Sequence, residues 1–185
     1  MRRYPGLFCF AVLAVSTGLA QQKTAAPPPK PAVEGPTLEV TMKFIQEKIE
    51  AKAVRLLLWS GRSESLSGVA ADPANCSLTS TGYDDPEKMI AVFSFREVEK
   101  IEVVADSPET SAEFFVLRTL MTRNKSVHIQ RLDTSQKRKK DQPLPDVETG
   151  EWAVRFKDED TANRLAKAMV HAVELCGAGG KPEPF

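Results

Sequence analysis

Between Lys157 and Cys176 the chain reads K-D-E-D-T-A-N-R-L-A-K-A-M-V-H-A-V-E-L-C, followed by Gly177. Ala162, Leu165, Ala166, Met169, Ala172, Val173 and Cys176 fall on one side of any helix drawn through it. Such a stripe is stable only when it lies against a core, so the rest of the chain must supply one. Asp158 or Asp160 suits the N-cap, and the acids Asp158, Glu159 and Asp160 meet the positive end of the helix dipole. Gly177 offers the left-handed residue that stops the helix.

Upstream the period changes. Thr37 suits the cap of one further helix, to about Ala51, with Leu38, Met42, Ile45 and Ile49 on one face. Phe44 lies beside that face, and Lys43, Glu47 and Lys48 take the wet side. From Ala53 onward alternation replaces helical spacing, and strands are predicted over 53–60, 75–83, 89–95, 100–105, 112–122, 126–132 and 151–157. Residues 61–67 read as a polar connection, Asp84-Asp85-Pro86 as a turn, and 112–132 as a hairpin about Arg123-Asn124-Lys125. Residues 133–150, with Pro143 and Pro145, read as a long exposed loop. The expected fold class is α+β: an antiparallel meander or partly open barrel of about seven strands, with an N-terminal helix and a C-terminal amphipathic capping helix.

The flanking segments carry no core. Residues 1–20 have a basic start at Arg2 and Arg3 and an apolar run from Leu7 to Leu19. Gly18-Leu19-Ala20 supplies what a signal peptidase reads, so a signal peptide is expected. A retained anchor is the alternative, although the run is short for a bilayer. Residues 21–36, containing Pro27-Pro28-Pro29-Lys30-Pro31 and Gly35-Pro36, read as a proline-rich disordered linker. One domain is expected over 37–180, with 181–185 as a tail.

Composition bears on compartment and partners. The chain has 25 basic and 25 acidic side chains; cleavage after Ala20 removes two arginines, leaving 23 and 25. A net charge near −2 gives no field to attract nucleic acid. Cleavage also removes Cys9, leaving Cys76 and Cys176. Two cysteines in an exported chain, periplasmic or secreted, favour a disulfide; two buried free thiols are the alternative.

Three stretches carry a resemblance: Thr41-Met42-Lys43-Phe44-Ile45-Gln46-Glu47-Lys48, Phe93-Ser94-Phe95-Arg96-Glu97-Val98, and the helix from Asp158 to Met169 continuing through His171 to Gly177. Together they are similar to a family of uncharacterised exported bacterial proteins with a helix, a strand-rich middle and this helical ending. The resemblance covers most of 37–180, implies no catalytic role, and implies that Cys76 and Cys176 are the family's cysteine pair. A looser, architectural likeness is to pleckstrin-homology-like domains, and it rests on element order alone.

Little else points to chemistry. Lys137-Arg138-Lys139-Lys140 is a candidate anion-binding run, with Arg123, Lys125 and Arg131 nearby in sequence. Asp133 and Asp141 flank it and no aromatics interleave, which favours a solvated loop. His128 and His171 are the only histidines, too few for a zinc site once the cysteines pair. Trp59-Ser60-Gly61 lacks the first glycine of a nucleophile elbow, and Gly177, Gly179 and Gly180 follow a helix where a phosphate loop would open one. The expectation is a non-enzymatic exported binding domain, without catalytic residue, metal or cofactor, whose partner is a protein or an envelope component. The alternatives are an enzyme of unrecognised type and a peripheral lipid-headgroup binder using residues 137–140.

Overall fold

In the computed structural model, which describes residues 35–57, 63–106, 114–135 and 142–177, both amphipathic stripes form helices. α1 (Leu38–Lys52) is capped by Thr37, whose hydroxyl accepts from the Val40 N–H at 3.5 Å, and it buries Thr41, Met42, Ile45 and Ile49. α2 (Glu159–Leu175) is capped by Asp158, whose carboxylate accepts from the Thr161 N–H at 2.9 Å. The hydroxyl and N–H of Thr161 hold the Asp158 carboxyl below its usual range. Gly177, at φ 74°, ends α2 and donates to the Glu174 carbonyl at 3.1 Å. Ala162, Leu165, Ala166, Met169, Ala172 and Val173 are all buried, as the stripe requires.

Nine strands, not seven, lie between the helices among the described residues: β1 (Ala53–Leu57), β2 (Ser63–Asp72), β3 (Ser77–Asp84), β4 (Glu87–Ser94), β5 (Val98–Ala105), β6 (Phe115–Met121), β7 (Val127–Asp133), β8 (Gln142–Thr149) and β9 (Glu151–Phe156). They form one antiparallel sheet in the order β5-β6-β9-β1-β2-β3-β4-β7-β8. β5 and β8 are edges, so the sheet does not close.

The two additional strands break the ordinary strand signature for different reasons. β2 was expected to be a polar connection over its first half because small and polar residues hide its alternation. Its pairing with β3 shifts between Leu66 and Gly68, leaving Ser67 as an extra residue whose hydroxyl donates to the Thr81 carbonyl at 3.1 Å. β8 lies within the expected loop and carries Pro143 and Pro145. It pairs only with β7, and an edge tolerates residues without N–H groups. The β7–β8 register shifts between Ile129 and Arg131, opposite Pro145 and Asp146.

The expected meander and hairpin are also corrected. β6 pairs with β5 and β9, whereas β7 pairs with β4 and β8, so β6 and β7 are not partners. Asn124, at φ 67°, turns the chain, but the turn crosses between the two ends of the sheet. A second crossing, the 3-10 turn Phe95–Glu97, runs from β4 to β5. The two lie side by side: the Glu97 carbonyl accepts from the Thr122 N–H at 2.8 Å, and the Glu97 carboxylate accepts from Lys125 Nζ at 2.9 Å. Five residues reach at most about 18 Å, so crossings this short force the sheet ends together.

The curl is visible inside. Trp152 of β9 donates its indole N–H to Ser80 of β3 at 2.8 Å, and its ring lies 5.2 Å from Phe93 of β4. Those strands are separated by β1 and β2 in the sheet, so the contact exists only because the sheet wraps around a core. α1 packs on β2 and α2, while α2 packs on β5, β6 and the 3-10 turn. Among the described residues no helix is long and apolar enough to cross a membrane.

A disulfide joins Cys76 and Cys176, with Cα atoms 5.9 Å apart across 100 residues of sequence. Cys76 ends the turn between β2 and β3, at φ 53°, and its carbonyl accepts from the Phe95 N–H at 2.8 Å. One crosslink therefore fastens the end of α2 to both the β2–β3 turn and the 3-10 crossing.

Candidate functional site

The outer surfaces of α1 and α2 form a groove. The start of α1 meets the end of α2 around Val40, Thr41, Phe44, Lys167, Ala168 and His171, with Pro36 at the rim. Farther along, Phe44 and Lys48 face Thr161 and Arg164, so the helices run antiparallel. The first part is an open groove of about 380 Å³ and is lined almost wholly by apolar groups. Val40 is 57% exposed, the most exposed large apolar side chain among the described residues. It lies one helical turn from Phe44, off the stripe that α1 buries in the core. Val40 is exposed and Phe44 half-buried, both on a helix that already has a separate buried face.

The polar groups around this groove are mostly donors or cations. His171 Nε2–H donates to the Pro36 carbonyl at 2.9 Å, and Nδ1 lies 3.8 Å from Glu174. A side chain at Gly35, which has φ 131°, would meet the His171 ring at 3.2 Å, so glycine permits this approach. His171 thus seats the chain entering α1 against α2. Lys48 lies over the Phe44 ring at 5.5 Å. Among the described residues, neither Lys48 nor Lys167 has a carboxylate within 4 Å, whereas Arg164 lies 3.8 Å from Asp160. Thr41, 3% exposed, lines the groove, and its hydroxyl has no hydrogen-bond partner among the described residues.

The other histidine occupies a different place. His128 of β7 lies between Glu148, 2.7 Å from Nδ1, and Asp146, 3.4 Å from Nε2. Ser126 donates its hydroxyl to the other Glu148 oxygen. The Glu148 bond raises the His128 pKa, and the Ser126 and His128 bonds lower that of Glu148. Serine, histidine and carboxylate are all present, yet the hydroxyl is spent on the carboxylate and not on the imidazole that would have to activate it. The cluster is exposed and ties edge strand β8 to β7.

Other residues singled out in the sequence have structural positions. Asp158 caps α2, and Arg164 bonds back toward Asp160. Asp85 accepts from the Tyr83 hydroxyl at 3.2 Å in the β3–β4 turn. No cluster of three or more His, Cys, Asp or Glu side chains suited to a metal occurs among the described residues. Lys137, Arg138, Lys139 and Lys140 lie outside the described residues, as do Trp59, Ser60 and Gly61. Sequence reasoning missed the groove, although Val40 and Phe44 at positions i and i+4 outside the core stripe were a local signal for it. No family model, curated protein or solved structure matches this chain, so the site stands on its own geometry.

Proposed function

We propose that this is an exported binding domain that holds a ligand in the groove between α1 and α2. The observation that carries it is the open apolar groove of about 380 Å³, with the exposed Val40 in its wall on a face of α1 that the core does not use. Export, with residues 1–20 as signal peptide and 21–36 as linker, belongs to the same proposal. The disulfide supports it, because such bonds persist in oxidising compartments.

The test uses Nile red, an uncharged fluorophore that brightens in apolar surroundings. The full chain with its disulfide intact binds it saturably at one site, and Ala168→Trp, which fills the groove, removes that binding without loss of helical signal. Binding unchanged in both Ala168→Trp and Val40→Glu excludes the groove.

A further inference from the structure

We propose that the groove takes a free fatty acid, a single aliphatic chain ending in a carboxylate, an assignment that rests on the groove being the binding site. Lining and charge each narrow the ligand. The groove is open to solvent along one side, so the chain lies along it instead of being enclosed. The walls are Pro36, Val40, Phe44 and Ala168, which offer an aliphatic chain contact along its length and no pattern of hydrogen bonds to read.

The charged groups select the head. Lys167 stands in the wall and Lys48 beyond Phe44, both without a carboxylate within 4 Å among the described residues. The nearby acids are already engaged: Glu174 lies by His171, Asp160 by Arg164, and Glu47 by Lys43 at 3.9 Å. A ligand carboxylate at Lys167 completes a charge pair at the mouth while its chain displaces water from the apolar walls.

A folded protein partner fits less well. From Leu38 to Phe44 the α1 wall is about 9 Å long, whereas a standard protein interface buries about 800 Å² on each side.

The test is displacement of bound Nile red from the full chain by laurate, held below its micellar concentration, against dodecanol of the same chain length. Laurate is expected to displace the dye one for one and to bind about tenfold tighter than dodecanol. Lys167→Gln is expected to bring laurate to the level of dodecanol while leaving dodecanol unchanged. Equal affinity for the two, or laurate binding unaffected by Lys167→Gln, overturns the carboxylate assignment. Dye that is held by the groove but displaced by neither compound overturns the aliphatic ligand and leaves the binding groove standing; absence of dye binding overturns both. Where Ala168→Trp does not fold, Val40→Glu serves as the groove variant, since Val40 is exposed and bears no core load.

Discussion

Thr41 shows how one buried atom can oppose stability. Its hydroxyl is buried on α1 without a partner among the described residues, and leaving such a group unsatisfied costs about 1 kcal/mol or more. Thr41→Val keeps the shape and removes the hydroxyl, so the urea midpoint of unfolding is expected to rise by the equivalent of about 1 kcal/mol. At His128 the prediction concerns pH. Its pKa is raised above 6.5 by Glu148, so the bond contributes fully below 6.5 and fades as pH climbs through the raised value. Glu148 is lowered below 4.5 by Ser126 and His128, so its contribution is full above 4.5 and fades as pH falls through the lowered value. His128→Gln is therefore expected to lower thermal stability between about pH 4.5 and 6.5 and to leave it unchanged near pH 9, by roughly 0.5 kcal/mol at most because the pair is solvated. Neither effect was legible in the sequence. Both depend on partners brought by other elements, or on the absence of one.

At the scale of elements, α2 was legible because its information is local. The stripe, the Asp158 cap and the Gly177 stop all lie within or beside the helix. Leu165→Asp places a charge where the wild-type side chain is fully buried, a cost of several kcal/mol against a total stability of about 5–15 kcal/mol. Loss of the folded state is expected, seen as collapse of amide dispersion in a nuclear magnetic resonance spectrum. β8 was illegible for the complementary reason. Its prolines are acceptable only because the strand is an edge, and edge status is a property of the whole sheet order. Turn residues at 123–125 marked the end of one strand and the start of the next, but β6 and β7 stand six places apart in an all-antiparallel order, so the expected hairpin does not form. The groove lies between these cases: the Val40–Phe44 half was written on α1, whereas the choice of Ala168 and His171 to face it came from helix packing.

At the largest scale the described residues form a sheet curled by two short crossings and fastened by one covalent bond. Because Cys76 and Cys176 are 100 residues apart, the crosslink restricts much of the unfolded chain. The paired substitutions Cys76→Ser and Cys176→Ser are expected to lower unfolding free energy by about 2–5 kcal/mol, measured by urea titration, while the remaining protein keeps its strand content. Pairing of the cysteines was expected from their number, and a partly open barrel was among the expected folds; the contacts that hold the wrap, such as Trp152 to Ser80 across strands that never pair, were not legible. The central claim is that the surface between α1 and α2 is a ligand site. The most direct measurement is a two-dimensional amide resonance titration of the full, oxidised chain with laurate. Saturable shifts confined to Val40, Thr41, Phe44, Lys167, Ala168, His171 and their immediate neighbours are predicted; shifts centred on β7 and β8, or none at all, would contradict it.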